Sequence, residues 1–167
     1  IDDKLAGIKV CDPAVGSGAF LVGMMSEIVK TRNILSVFIK EPDRSLYRFK
    51  RECIEKSLYG VDIDPGATEI AKLRLWLSLV VDEEDIREIK PLPNLDYKIV
   101  CGNSLGNITW DVWDNNLFKE LELLKNSYFD ETNPRQKQDK KIRIDALIAK
   151  LTNENTIFNY HIHFGEV

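Results

Sequence analysis

Two aspartates and an asparagine, each closing an apolar stretch and each beside glycine or proline, are the residues of this 167-residue chain best suited to chemistry. The first, Asp12, follows the apolar Ile8, Val10 and Cys11 and precedes a small-residue turn with Gly16 and Gly18. A helix is predicted to begin after that turn, near Ala19. A helix N-terminus presents unpaired backbone N–H groups, and glycine lets a ligand lie against the backbone with no Cβ in the way. A carboxylate ahead of such a turn repels phosphate, so residues 8–21 predict a seat for a ligand with a positive amino group. The glycines taken alone fit a plain tight turn equally well. Two phosphate-binding patterns are excluded. Leu21 stands where a dinucleotide fingerprint needs Gly or Ala, and Ala19-Phe20 follow Gly18 where a P-loop needs Lys and Ser or Thr.

The second acid ends the strand-like Leu58, Tyr59 and Val61, in the run Asp62-Ile63-Asp64-Pro65. Asp64 suits the cap of a following helix and Pro65 its first turn, which leaves Asp62 free. A carboxylate at the second strand end of a strand–helix–strand unit accepts hydrogen bonds from both hydroxyls of a ribose. Either acid also fits as an ordinary turn residue. In dinucleotide enzymes such an acid follows its turn by roughly 20 residues, whereas Asp62 follows Gly18 by 44, because a second helix lies in the crossover. The third polar group, Asn103, follows a predicted strand at 98–101. Its amide both donates and accepts, which suits a purine edge, although G-N-S-L read alone is a turn. Ligands of open parallel sheets gather at the carboxyl ends of the strands, and three such ends in chain order carry a polar group here.

Three helices must hold these strand ends in place. Leu21, Met24, Met25, Ile28 and Val29 recur at helical spacing in residues 20–31. Residues 43–57 predict a second helix, capped by Asp43, with Leu46, Phe49, Cys53 and Ile54 along one face. The helix from Pro65 is apolar nearly all round (Ile70, Ala71, Leu73, Leu75, Trp76, Leu77, Leu79, Val80). It is therefore expected to be buried on more than one side, against the sheet and against something beyond it such as a further domain.

Composition sets the class: 44% hydrophobic and 30% charged residues with a net charge of −4 describe a globular domain without an overall pull toward nucleic acid. No apolar run approaches the ~20 residues of a membrane span, and no signal-peptide pattern opens the chain. Cys11, Cys53 and Cys101 are isolated and odd in number, and read as reduced, buried thiols of a cytoplasmic protein. Trp110, Val112 and Trp113 predict either a short extended piece or a segment docked loosely under a helix expected from about 115 to 125. The basic run 134–143 reads as a solvated loop feeding a helix with Ile142, Ile144, Leu147, Ile148 and Leu151 on its apolar face. His161 and His163 alternate with Tyr160, Ile162 and Phe164 as on a strand and share a face, but no third ligand accompanies them, so no metal is expected. The chain starts at Ile1 without Met and stops on HIHFGEV, so it is expected to be a piece of something larger.

D-P-A-V-G-S-G-A-F-L, then Y-G-V-D-I-D-P with L-R-L-W-L-S-L in the next helix, then G-N-S-L, together resemble a gamma-class adenine-specific DNA methyltransferase. The likeness is strongest to the methylase part of type IIG restriction–modification enzymes, and it covers roughly residues 8–105. It implies an α/β, Rossmann-like doubly wound sheet that binds S-adenosylmethionine, incomplete in this chain. By that likeness Asp12 meets the methionine amino group, with the Ala14 backbone and the turn of Gly16 and Gly18 beside it. Asp62 holds the ribose hydroxyls, Ile63 packs on the adenine, and Asn103, where the family more often shows Asp, addresses the adenine amino edge. The resemblance further implies DNA as partner, with methyl transfer to the exocyclic amino of adenine.

The family's catalytic N-P-P-Y loop, which stacks on the flipped base, has no counterpart here. Asn133-Pro134-Arg135-Gln136 lacks the second Pro and the aromatic, and reads as a surface loop. No catalytic residue is therefore assigned. Residues 1–167 are expected to form the cofactor-binding half of a methyltransferase domain, weakly active or inactive alone, with the catalytic loop and target-recognition domain absent. The alternatives are a non-catalytic nucleotide-binding or partner-docking domain, or a methyltransferase acting on a small molecule or protein.

Overall fold

Three short apolar segments form one parallel sheet in the order β1-β2-β3: β1 (Val10–Asp12), β2 (Leu58–Asp62) and β3 (Ile99–Cys101). The structure, a computed structural model, describes residues 1–40, 42–81, 90–105, 115–152, 158–165 and 167. Trp110, Val112 and Trp113 lie outside the described residues. Seven helices are described around the strands: α1 (Asp2–Ala6), α2 (Ala19–Leu35), α3 (Leu46–Lys56), α4 (Pro65–Val80), α5 (Asn115–Phe129), α6 (Pro134–Leu151) and α7 (Tyr160–His163).

Parallel neighbours need a long crossover between them, and the chain supplies α2 with α3 between β1 and β2, then α4 between β2 and β3. Asp12 pairs with Gly60 across β1 and β2, and Gly60 with Ile99 across β2 and β3. Side chains alternate along a strand, so Val10, Leu58 and Ile99 face one way, into a core with Leu21, Met25 and Ile28 of α2, Ile54 of α3 and Leu75 and Leu79 of α4. Tyr59 and Val61 face the other way, against Phe158 and Phe164, with Cys11, Val100 and Tyr160 alongside. The central strand is thus buried on both faces, as a parallel strand usually is. This is the expected α/β class, a three-stranded part of a Rossmann-like sheet. A smaller core of Leu121, Tyr128, Ile144 and Ile162 joins α5, α6 and α7.

Several local expectations are corrected. The cap of α3 is Ser45, whose hydroxyl accepts from Arg48 N, not Asp43, which adopts a left-handed φ of 56°. The basic run 134–143 is not a loop but the first turns of α6: Asn133 caps it by accepting from the Arg135 and Gln136 N–H groups, and Pro134 occupies the first helical position. His161 and His163 sit not on a strand but on the single turn of α7, capped by Asn159. Cys101 is exposed and Cys11 only partly covered, because each lies near the tip of an edge strand, while Cys53 is buried in the core. The outer side of α4 leaves Ile70, Leu73 and Leu77 about half exposed, since the described residues cover only its sheet-facing side. Among the described residues no helix is long and apolar enough to cross a membrane.

An ion cluster fastens the first helix to the rest. Arg32 of α2 donates to Asp2 of α1 at 3.0 Å and to Glu52 of α3 at 2.8 Å, and Arg44 reaches the other Asp2 oxygen at 3.0 Å. Both guanidiniums lie over the Phe49 ring, at 4.5 and 4.9 Å from its centre. The hydrogen bonds from Arg44 and Arg32 pull the Asp2 carboxyl down to about 2. A carboxylate held below its unfolded value stabilises the fold at higher pH and ceases to do so as it protonates. Asp2→Ala, which leaves two nearly buried guanidiniums short of a partner, should cost about 3 kcal/mol at pH 7 in urea unfolding. That gap between variant and parent should shrink as pH falls from about 4 toward 2.

Candidate functional site

The turn after β1 is built around Val15. Its buried side chain lies over Gly60 of β2, where a Cβ would come within 2.7 Å of a Val15 methyl, so only glycine lets the turn approach the central strand. Val15 N–H donates to Val61 O at 2.9 Å and Gly18 N–H to Val15 O at 2.8 Å. Gly16 and Gly18 have left-handed φ values of 49° and 78°, a region that costs other residues energy. Gly18 caps α2 and backs onto α4, with a Cβ there falling 3.1 Å from the Ala71 backbone. Beside Gly16 the same construction meets nothing within 4 Å. The two glycines therefore do different work: one allows helices to approach, and the other borders open space.

Both carboxylates close on this turn. Asp12 accepts from Ala14 N–H at 3.1 Å, and Asp62, 46 residues further along than Gly16, accepts from Gly16 N–H at 2.8 Å. Asp12 pairs in register with Gly60, and Gly60 and Asp62 are two apart on one strand, so both acids project from the same face of the sheet. The second oxygen of Asp62 accepts from Asp64 N–H at 3.0 Å. The Asp64 and Gly16 N–H groups hold the Asp62 carboxyl below the usual carboxylate range, so it is ionised at neutral pH. A carboxylate has about four acceptor sites, and one on each Asp62 oxygen remains open. Asp64 is taken by its own helix, capping α4 through Gly66 N–H at 2.7 Å.

The remaining predicted residues surround the same strand tips. Ile63 is 71% exposed, and its side chain offers an apolar surface beside the strand tips. Asn103 follows β3, in a turn tied to β2 by Gly102 N–H donating to Asp62 O at 2.8 Å. Its side-chain oxygen accepts from Leu105 N–H at 3.0 Å, which fixes the amide's orientation and leaves that oxygen a second lone pair. The structure thus brings Asp12, Ala14, Gly16, Gly18 and Asp62 around one turn, with Ile63 and Asn103 on the adjoining strand tips.

A separate cavity of about 300 Å³ lies on the other face of the sheet, lined by Cys11, Pro13, Tyr160, His161 and Phe164 among others. Of its lining, Cys11 and Pro13 flank Asp12 in the chain. Burial, then the neighbouring Asp12, pushes the Cys11 thiol up, away from nucleophilic use. His163 is driven down to about 4 by burial and held by Asn159, with its Nδ1 2.9 Å from Asn159 O, which makes it a neutral packing residue. Sequence reading missed Val15 and Gly60, whose pairing appears only once β1 and β2 are placed side by side.

The two glycines should separate in thermal unfolding. Gly16→Ala should cost about 1 kcal/mol, from backbone conformation alone. Gly18→Ala should cost about 3 kcal/mol, because its added methyl also presses on Ala71.

Comparison with known proteins gives a consistent pattern. Residues 1–162 match the family described as MmeI, DNA-methyltransferase domain. The chain is 43% identical over 125 residues to a putative type II restriction enzyme and methyltransferase of Methanocaldococcus jannaschii, covering 72% of this chain and 10% of that protein. It is 34% identical over 119 residues to a type II restriction enzyme and methyltransferase of Escherichia coli, covering 62% of this chain and 12% of that protein. The chain thus spans about a tenth of the length of the curated relatives it matches. No solved structure matches it significantly.

Proposed function

This chain belongs to the MmeI DNA-methyltransferase domain family, and from that premise we propose that it is the S-adenosylmethionine-binding part of an enzyme that methylates the exocyclic amino group of adenine in DNA. The observation that carries the reading is the pair of carboxylates on one sheet face, both hydrogen-bonded to the turn of residues 14–16. The sulfonium of the bound cofactor supplies an electrophilic methyl; the work of these residues is to hold its two ends.

The donor set fits that ligand chemically. The Asp12 oxygen left free by Ala14 accepts from the methionine amino group, a charge-assisted bond. The open acceptor sites of Asp62 take the two ribose hydroxyls, and the ring of the adenine lies on Ile63. Asn103 accepts from the adenine amino group through its remaining lone pair. Gly16 matters for what it lacks, since a side chain there would enter the space beside the cofactor's middle. A ligand with three phosphates is disfavoured by the same two acids.

Within this reading residues 1–167 form the cofactor half of the methyltransferase domain. The base-stacking loop and the DNA-reading domain lie elsewhere in a polypeptide of the length its relatives have. DNA is then the partner of the whole enzyme, and the restriction–modification setting follows from the relatives' own descriptions.

Calorimetry with S-adenosylhomocysteine tests the proposal. The parent chain should bind, and Asp62→Ala should weaken binding at least tenfold, as expected for loss of hydrogen bonds to a charged group worth about 1.5–3 kcal/mol each. An unchanged affinity in that variant would remove Asp62 from the ribose and the reading with it.

A further inference from the structure

Helix α4 is apolar well beyond what its place against the sheet requires. Its inner side is buried through Ala71, Leu75 and Leu79. Both flanks are tied down: Lys50 of α3 donates to Ser78 O at 2.8 Å, and Trp76 Nε1 donates to Pro93 O at 2.8 Å. The remaining side carries Ile70, Leu73 and Leu77, continued by Val81 at the C-cap, one to each turn and each between 51% and 74% exposed. The stripe runs the length of the helix, about 24 Å. Phe20 of α2, two residues from the contact of Gly18 with Ala71, is also about half exposed.

Single exposed apolar side chains are ordinary, but a row of them along one helix marks a surface that gains by being covered. Two charged residues border the row. Glu69 is occupied by Lys72, at 2.8 Å. Arg74 is partly exposed and has no hydrogen-bond or ion-pair partner among the described residues. The face is thus a line of aliphatic groups with one unmatched positive charge at its edge.

We propose that the outer side of α4 docks an amphipathic helix from another part of the same polypeptide, with its apolar side on Ile70, Leu73 and Leu77 and an acidic residue opposite Arg74. This rests on the reading above that residues 1–167 belong to a longer enzyme. The chain spans about a tenth of the length of its curated relatives, and in a polypeptide of that size a tethered segment meets the face at high effective concentration, so it needs little intrinsic affinity. A second copy of the chain suits the face less well. Two α4 helices paired about a twofold axis at the middle of the stripe, near Leu75, would bring their Arg74 side chains together, and like charges repel. The occupant lies on the back of the helix against which Gly18 rests, so docking braces the turn that carries the candidate site.

Leu73→Cys and Leu77→Cys report the coverage directly. Each is made in residues 1–167 and in the full-length polypeptide of the parent gene. Maleimide labelling is followed by peptide mapping, which separates the new thiols from the exposed native Cys101. In the chain alone, positions 73 and 77 should label as fast as Gln138→Cys on the exposed side of α6. In the full-length polypeptide they should label at least about tenfold more slowly than in the chain alone, as expected of sites that react only on local opening. Adding Arg74→Ala to Leu77→Cys should speed labelling in the full-length polypeptide, and an unchanged rate there overturns the acidic partner. Equal labelling of positions 73 and 77 in the two proteins overturns the docking face. So does slow labelling already in the chain alone, where a dimer mass in sedimentation would make a second copy the occupant. A parent gene that encodes nothing beyond residues 1–167 overturns the longer-enzyme reading itself, and that outcome is seen before any thiol is introduced.

Discussion

The hydrogen bond from Gly16 N–H to Asp62 is the contact on which the site depends. It joins the loop after the first strand to the tip of the second across 46 residues of chain, most of them in α2 and α3. Without it the two acids would belong to separate loops. With it, Asp12 and Asp62 become two rims of one turn. The bond also uses Asp62 economically, because each of its oxygens spends one lone pair on the backbone and keeps another.

The supports of this bond are steric as much as electrostatic. Val15 reaches the central strand only because residue 60 has no side chain, and α2 can start against α4 only because residue 18 has none. Parallel pairing puts the ends of all three strands on one side of the sheet, so a polar residue after each is automatically a neighbour of the others. Burial of the central strand on both faces then anchors the arrangement in the core. On the far face Phe158 packs beneath Gly102, so the covering segment also touches the turn at the tip of β3.

Much of this was legible in the residues. The parallel α/β class followed from strand, small-residue turn and helix in succession, and the start of α2 at Ala19 and the Asp64 cap of α4 follow local rules that the structure obeys. Other features depend on partners distant in sequence. Asp43 and Ser45 are both good caps by type, and only the left-handed backbone at Asp43 decides between them. Asn133-Pro134 is a helix start by its own chemistry, yet the charged run behind it resembles a loop because Lys140 and Lys141 find their partners, Glu131 and Asp96, only in the folded chain. The alternation around His161 and His163 mimics a strand, but Asn159 caps a helical turn there and buries Ile162. The apolar outer side of α4 was legible as excess hydrophobicity, and it stays exposed among the described residues.

The most direct measurement is a crystal structure of the chain with S-adenosylhomocysteine. The account predicts both ribose hydroxyls within about 2.6–3.2 Å of the Asp62 carboxylate, the amino group at Asp12, and the adenine ring between Ile63 and Asn103. A ligand seated in the cavity beneath Pro13, or one whose ribose lies away from Asp62, would contradict it.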